Sequence, residues 1–193
     1  MLIYVDSNES KKTSFGVFYK APIIDGKGIR VSLKLQKQLK SRWCWASIAC
    51  SIFQYYEDIK MEQSDLVKSL QGELNIDKTQ YSERDILSKN VNFKLEEALK
   101  KVGCFSHWTF GKPSFERIQF EINHGRPFAV RLEWFKGGAH YILVKGYCLK
   151  SKTLFVEDSI HGSTTIEYQE FPNRYQGSGA VWTETYWTKN HKK

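Results

Sequence analysis

Apolar residues follow two different patterns along the chain, and the change between them predicts a helical part followed by a part rich in strands. The first pattern contains a nearly continuous apolar run from Trp43 to Tyr56, without proline or glycine. Because strands are rarely so long, this run predicts a buried helix. Polar caps and glycine stops predict three more helices, at Glu83–Ser88, Phe93–Val102 and Phe115–Asn123. The residues expected to cap these helices are Ser82, Asn92 and Ser114.

After Pro127 the pattern changes to short segments rich in β-branched and aromatic residues, with turn signals between them. The predicted strands are Phe128–Trp134, His140–Leu149, Thr153–Asp158, Ser163–Tyr168 and Ala180–Thr188. Consecutive strands at short spacing predict an antiparallel sheet.

Residues 1–33 alternate short apolar runs with turn signals and predict an extended N-terminal arm or strands. The expected segments are Leu2–Val5, Phe15–Tyr19 and Ile29–Leu33. With 193 residues and no internal repeat, the chain is predicted to form a single domain over residues 1–193. Residues 34–125 would be its mainly helical half and residues 126–189 its antiparallel β half, which together make an α+β fold.

The chain carries 29 Lys and Arg residues against 21 Asp and Glu residues, a net charge of +8 spread along the whole sequence. This mild basicity, without an aromatic-basic RNA-binding motif, predicts no nucleic acid partner. No apolar run is long enough to cross a bilayer, and the first residues lack the features of a secretory signal peptide. We therefore expect a soluble monomer without a membrane partner, either cytoplasmic or exported by a route without a recognisable Sec signal.

The four cysteines are widely scattered, with no CxxC pair and no histidine at metal-ligand spacing. This pattern predicts no zinc site, and we expect neither a metal nor a cofactor. Cys50 and Cys148 lie in apolar runs and are expected to be buried as small hydrophobic residues. Cys104 follows Gly103 in a predicted loop, where it would be the one other cysteine open to solvent.

Cys44 is the candidate nucleophile because it lies where the first predicted helix begins. At that position unpaired backbone N–H groups and the helix dipole favour negative charge, which lowers the pKa of a thiol and produces the nucleophilic thiolate. Gln38, six residues upstream, is expected to direct its amide toward the same point, where an oxyanion would form. Gln36 is a nearby alternative for that role.

A base and an orienting group for such a thiol are found in the strand half. His140 begins a predicted strand after two glycines, and Asp158 ends the next strand. If the two strands are adjacent and antiparallel, the two side chains meet, as a thiol nucleophile requires. Glu157 would point to the opposite face and toward solvent. His161 is a weaker alternative partner for the carboxylate, as are His107, His124 and His191.

The order of these residues resembles that of the papain-like cysteine peptidases. The resemblance is carried by Gln38, by the segments Cys44–Ser47, Gly138–Tyr141 and Val156–Asp158, and by their order between residues 38 and 162. It is greatest for the compact bacterial members, such as the staphopains, the bacteriocin-leader peptidases and the bacterial effector proteases. The motif before the nucleophile differs from that of papain and the cathepsins, and an aspartate stands where papain has asparagine. These differences point away from the lysosomal branch.

The resemblance implies a papain-like fold, with the nucleophile on a central helix packed against the C-terminal antiparallel sheet. It implies that Cys44 is the nucleophile, His140 the general base and acid, and Asp158 the group that orients His140. Gln38 and the backbone N–H of Cys44 would form the oxyanion hole. Trp43 and Trp45 would either shield the catalytic pair from water or belong to the core.

The function expected from these residues is that of a cysteine endopeptidase acting on a peptide or protein through an acyl-enzyme. The same residues would also support acyl transfer, deamidation or cross-linking, because an amine can attack a thioester as water does. A third alternative is an inactive papain-like module that binds peptides, against which the intact set of candidate residues argues.

Overall fold

The fold, seen in a computed structural model that describes residues 11–12, 18–70, 90–177 and 179–190, is a helical layer joined to an antiparallel sheet. The described helices are α1 (Cys44–Glu57), α2 (Gln63–Ser69), α3 (Leu95–Lys101) and α4 (Phe115–Asn123). The described strands are β1 (Lys11–Lys12), β2 (Phe18–Tyr19), β3 (Ile23–Asp25), β4 (Gly28–Arg30), β5 (Phe105–Phe110), β6 (Phe128–Trp134), β7 (Ala139–Cys148), β8 (Thr153–Asp158), β9 (Gly162–Glu167) and β10 (Ala180–Thr188).

The main sheet has eight strands, all paired antiparallel. Six of them follow the order β3-β4-β7-β6-β10-β5, while β8 pairs with β7 and then with β9. Strands β1 and β2 form a separate antiparallel pair. Strand β7 is therefore central, because β6, β4 and β8 all pair with it.

Two hydrophobic cores lie on opposite faces of this sheet. The first surrounds α1, where Ile48 and Ile52 are fully buried and pack with Leu99 of α3 and Leu143 of β7. The second lies under α4. Because consecutive strand residues point to opposite faces, Ile142 belongs to the second core while Leu143 belongs to the first. The helix that begins at the candidate nucleophile is thus fixed against the strand that carries the candidate base.

The elements predicted around the candidate site are confirmed. The structure has the predicted central helix, with α1 one residue displaced at each end. It has α4 with the predicted bounds, and the Ser114 hydroxyl accepts a hydrogen bond from the backbone of Arg117 at 3.2 Å. Strands β6, β8 and β10 have the predicted bounds, and β7 and β9 differ from them by a residue at each end. The predicted α+β fold class is confirmed.

Of the other two predicted helices, one begins later than predicted and one lies outside the described residues. Helix α3 begins at Leu95 and not at Phe93, so Lys94 and not Asn92 is its cap residue. The later start is where the apolar residues Leu95, Ala98 and Leu99 begin to be buried against the first core. The helix predicted at Glu83–Ser88, with its cap Ser82, lies outside the described residues.

Strand β5 lies where no strand was predicted. Strand β5 pairs with β10 at the edge of the sheet, inside the segment expected to be mainly helical. The prediction that Cys104 lies in an exposed loop was wrong, since its side chain is fully buried. Its carbonyl accepts a hydrogen bond from the backbone of Lys189 at 3.1 Å, so the chain enters the sheet directly after α3. A pairing between residues so distant in sequence leaves little trace in the local pattern.

The N-terminal segment contributes less strand than predicted. Of the segment Ile29–Leu33, only its first two residues lie in a strand, β4, which begins at Gly28. Phe18 and Tyr19 form β2 within the predicted Phe15–Tyr19, and Leu2–Val5 lies outside the described residues. Among residues 18–70, 90–177 and 179–190, no helix combines the length and apolar character needed to cross a membrane.

A glycine at position 146 allows three strands to approach closely. A Cβ atom there would lie 2.5 Å from Cβ of Arg30 on β4, 2.6 Å from the Ile29 carbonyl oxygen and 2.6 Å from the Phe155 ring on β8. Such distances are well inside van der Waals contact, so only glycine fits. The pairing of β4 and β8 with opposite edges of β7 depends on this residue.

Candidate active site

Cys44 is the first residue of α1, as predicted. Its thiol is buried, with 9% of the residue exposed. Trp43 and Trp45 on either side are both 1% exposed and belong to the first hydrophobic core. The Trp45 indole donates a hydrogen bond to the carbonyl of Val91 at 3.2 Å. Of the two roles considered for these tryptophans, the structure supports the one in the core, which fixes the start of α1.

His140 and Asp158 are brought together by the pairing of β7 with β8. Leu143 lies opposite Glu157 in this antiparallel pairing, so the start of β7 and the end of β8 lie side by side. Nε2 of His140 lies 3.0 Å from Oδ1 of Asp158. The His140 residue is 8% exposed and Asp158 is 3% exposed, so the pair is shielded from solvent.

The Asp158 carboxylate accepts several further hydrogen bonds, each from the turn or helix segment beside it. Its Oδ1 atom also accepts the backbone N–H groups of Ile160 at 2.7 Å and His161 at 3.2 Å. Its Oδ2 atom accepts the hydroxyl of Tyr175 at 2.6 Å. Bonds to both oxygens satisfy a buried anion that would otherwise be costly to desolvate.

The electrostatics favour a charged imidazole. Burial lowers the pKa of His140, but its hydrogen bonds with Asp158 and Cys44 and the charges of those groups outweigh that effect and raise the pKa from 6.5 to about 9. Burial raises the pKa of Asp158, but bonds from His140, Tyr175 and Ile160 and the imidazolium charge hold the pKa well below its usual range. The imidazole is therefore hydrogen-bonded to the Asp158 carboxylate and interacts with the Cys44 thiol, so three of the four predicted site residues act on one another.

Gln38 is joined to the same region by hydrogen bonds with Ser159, the residue after Asp158. Its side-chain Oε1 accepts the Ser159 hydroxyl at 2.7 Å, and its backbone N–H donates to the Ser159 carbonyl at 3.3 Å. Its Nε2 donates to the carbonyl of Lys40 at 2.9 Å. Gln36 is directed elsewhere: its Nε2 donates to the Met61 carbonyl at 2.9 Å.

Three residues beside these groups were not foreseen. Tyr175 binds Asp158, and Ser159 binds Gln38, as described above. The Trp134 ring lies 6.4 Å from the His140 ring, centroid to centroid. The register of β6 and β7 places Leu132 opposite His140, so Trp134 is its diagonal neighbour on the same face. The alternation of β6 could have indicated Trp134, whereas nothing near Tyr175 in the sequence indicated its contact.

Two predictions about polar or reactive residues were wrong. Glu157 is 6% exposed and does not face solvent, because Lys145 forms an ion pair with it and the Ser163 hydroxyl donates to it at 2.8 Å. Cys148 is half-buried and not a core residue, since it ends β7 where the chain turns toward the exposed Leu149.

The side chains of the other cysteines and of the other described histidines take no part in this cluster. Cys50 is buried as predicted, and all four cysteines are free thiols. His161 is exposed, and it is its backbone N–H that reaches Asp158. His107 contacts Ser106 and His124 contacts the carbonyl of Phe120. His191 lies outside the described residues.

The fold is that of a papain-like cysteine peptidase. Residues 30–188 match the Peptidase_C39 like family, and the chain belongs to that family. The protein is therefore a cysteine peptidase, as its sequence predicted.

Solved structures of similar fold are peptidase domains. The peptidase domain of Streptococcus ComA, a bi-functional ABC transporter involved in quorum sensing, is 17% identical, with a TM-score of 0.50 over 81% of this chain and 98% of that chain. A double glycine motif protease from an AMS/PCAT transporter, solved in complex with the leader peptide, is 14% identical, with a TM-score of 0.47 over 86% of this chain and 96% of that chain. The peptidase domain of Streptococcus mutans ComA is 17% identical, with a TM-score of 0.47 over 81% of this chain and 99% of that chain. No curated protein matches the sequence.

Proposed function

We propose that the protein is an endopeptidase that cleaves peptide bonds through a covalent acyl-enzyme. In this proposal Cys44 is the nucleophile, His140 is the general base and then the general acid, and Asp158 orients His140. The observation that supports it is one buried imidazole that lies 3.0 Å from the Asp158 carboxylate and whose pKa is raised in part by the Cys44 thiol at the start of α1. A thiol hydrolase requires a nucleophile, a base beside it and a group that orients the base.

Activation of the thiol would rest on the charge state of the imidazole. Since the pKa of His140 is raised to about 9, the imidazolium persists at neutral pH and stabilises a thiolate on Cys44. The first N–H groups of α1, which have no partner within the helix, favour the same negative charge. The pair would then attack as thiolate and imidazolium without a separate deprotonation.

The oxyanion of the tetrahedral intermediate would be bound by the Gln38 amide and the backbone N–H of Cys44. An amide nitrogen carries two hydrogens, and the bond to Lys40 uses one of them. The bond from Ser159 to Oε1 fixes which way the amide is turned, so the second hydrogen has a defined direction. Gln36 is less suited to the role because its amide is bound to Met61 and Gln63 near the start of α2 and not to the segment that carries Asp158.

The reaction would proceed in two halves. The Cys44 sulfur attacks the peptide carbonyl carbon, and His140 gives its proton to the nitrogen of the leaving amine as the C–N bond breaks. Water, deprotonated by His140, then attacks the thioester and releases the acid together with the Cys44 thiolate. No other group has to supply or remove a proton.

The proposal is tested by a cleavage profile. A mixture of cellular proteins is incubated with the wild type, with Cys44→Ala or with Cys148→Ala, and the new N-termini are identified by mass spectrometry. New N-termini should form with the wild type and Cys148→Ala and be absent with Cys44→Ala. Cleavage that survives in Cys44→Ala would refute the nucleophile.

An added amine separates hydrolysis from acyl transfer. A small primary amine present during the reaction would be joined to the new C-termini if the thioester is taken by amines in preference to water. We expect free carboxylates at most new C-termini. Amides at most of them would replace the endopeptidase proposal by acyl transfer.

A further inference from the structure

The Tyr175 hydroxyl is the one side-chain group that binds the second oxygen of Asp158 among the described residues. It lies 2.6 Å from Oδ2, while His140 and two backbone N–H groups bind Oδ1. Tyr175 is 3% exposed, and no part of the Asp158 side chain is accessible to solvent. Burial and the nearby carboxylate raise the pKa of Tyr175 well above its usual value, so its hydroxyl stays protonated and donates.

We propose that Tyr175 is a positioning residue for the reaction, which holds the Asp158 carboxylate in the orientation that directs Oδ1 to His140. The inference rests on the orienting role proposed for Asp158 and adds a residue on which that role depends. A carboxylate bonded on one oxygen only can rotate about its Cβ–Cγ bond. A donor on each oxygen fixes the plane of the group and, through it, the imidazole.

The segment between β9 and β10 is built to hold Tyr175 in place. Phe171 is fully buried, and its ring meets the Tyr175 ring edge-on with centroids 5.5 Å apart. The backbone N–H of Tyr175 donates to the Pro172 carbonyl at 2.9 Å. The Lys112 ammonium donates to the carbonyl of Phe171 at 2.8 Å and also to that of Tyr168. The hydroxyl is therefore presented from a turn that is anchored through the residues before Tyr175.

Loss of the hydroxyl should destabilise the charged pair at acid pH. In Tyr175→Phe the buried Oδ2 atom loses its donor, which frees the carboxylate to rotate about its Cβ–Cγ bond. A carboxylate that is free to turn binds the imidazolium less well and holds the imidazole less firmly beside the Cys44 thiol. The reactivity of Cys44 should therefore fall, most strongly at acid pH, where the contact with the imidazolium competes with protonation.

The test follows alkylation of Cys44 by iodoacetamide between pH 4 and pH 9, read by peptide mapping, which needs no known substrate. We expect Tyr175→Phe to move the acid limb of the rate upward by roughly one pH unit, with a rate about three- to tenfold lower at pH 5. Tyr168→Phe is the matched control, because its hydroxyl donates at 2.8 Å to the Pro113 carbonyl and not to Asp158. It should leave the acid limb in place.

A double-variant cycle distinguishes positioning from a general structural effect. If Tyr175 acts through Asp158, then Tyr175→Phe should change the alkylation rate little in an Asp158→Ala background. Equal effects in both backgrounds, or an acid limb like that of Tyr168→Phe, would overturn the inference. Thermal unfolding of each variant verifies that it is folded.

The Asp158→Ala variant separates the two proposals. If it alters the alkylation profile while Tyr175→Phe does not, only the role of Tyr175 fails. If Asp158→Ala leaves the profile unchanged, the orienting role of Asp158 fails, and the proposed function loses that residue.

Discussion

Ser159 donates its hydroxyl hydrogen to Oε1 of Gln38 at 2.7 Å, and its carbonyl accepts the Gln38 backbone N–H at 3.3 Å. Ser159 directly follows Asp158, so this pair of bonds joins the segment before α1 to the end of β8. Ser159 is 4% exposed, which shields both bonds from water. The position of Gln38, which is proposed to bind the oxyanion, is thereby fixed relative to Asp158, which is proposed to orient the base.

Gln38 is predicted to support the transition state more than the ground state. Gln38→Ala should lower kcat/KM by about 10²–10³, mainly through kcat, because the amide would bind charge that develops only during reaction. Gln36→Ala is the matched control, since its amide binds Met61. A larger loss in Gln36→Ala than in Gln38→Ala, with both variants folded, would reverse the assignment.

Cys44 is predicted to be the one cysteine that reacts rapidly at neutral pH. Burial raises the pKa of Cys50 and of Cys104 to about 12, which makes both thiols inert. Cys148 is the meaningful competitor, because it is half-buried and hydrogen bonds with Ser151 lower its pKa.

The measurement is iodoacetamide labelling with peptide mapping. Cys44 should be labelled at least about tenfold faster than Cys148, because the adjacent imidazolium stabilises its thiolate. Replacing His140 by glutamine should remove most of that advantage without changing Cys148. Faster labelling of Cys148 in the wild type would contradict the prediction.

Asp158 is predicted to matter less than the residues that make and break bonds. Its loss disturbs the orientation of His140, so kcat/KM should fall about ten- to a hundredfold less than in Cys44→Ala. Asp158→Asn is the more informative change, because alanine would also leave the backbone N–H groups of Ile160 and His161 without their acceptor. Should folded Asp158→Asn be as inactive as Cys44→Ala, a larger role than orientation would be required.

The free energy of unfolding should depend on pH through His140. Its pKa is raised from 6.5 to about 9 in the folded state, so protonation stabilises the fold. That stabilisation is fully present below about pH 6.5 and is lost as the pH rises toward about 9. At the acid end, the stabilisation from Asp158 is present above its ordinary pKa of 3.8 and is lost progressively as the pH falls below that value toward the lowered pKa of the folded state.

Denaturant unfolding of the wild type and of His140→Gln between pH 5 and pH 10 measures the stabilisation that protonated His140 contributes. The pH-dependent part of the difference should be about 1–3 kcal/mol, largest near pH 6 and absent above pH 9.5. Asp158→Asn should lose much of the same part, since the ion pair of His140 with Asp158 contributes to both shifts. A difference that grows with increasing pH would have the wrong sign.

The sequence by itself determined the local elements of the site. The apolar run from Trp43 predicted a helix with Cys44 in its first turn, and the alternation after Pro127 predicted the strands that carry His140 and Asp158. Their short connection implied an antiparallel pair. These features depend on neighbours in sequence, which is why periodicity and turn residues were sufficient to predict them.

Tertiary structure decided what the local pattern does not contain. Whether Gln38 or Gln36 is tied to the end of β8 depended on which partner each amide reached, Ser159 or Met61, across the fold. The contact of Tyr175 with Asp158 likewise depended on how the segment between β9 and β10 packs back over the sheet.

The same reason accounts for the errors. Glu157 was assigned to solvent by alternation alone, but Lys145 on the neighbouring strand gives it a buried counter-charge. Cys104 was expected to be open to solvent because it follows Gly103, but the strand after it pairs with β10, whose residues lie far along the chain, and its side chain is buried. Long-range pairing and burial of polar groups are set by which surfaces meet when the chain folds, and a single local segment does not encode them.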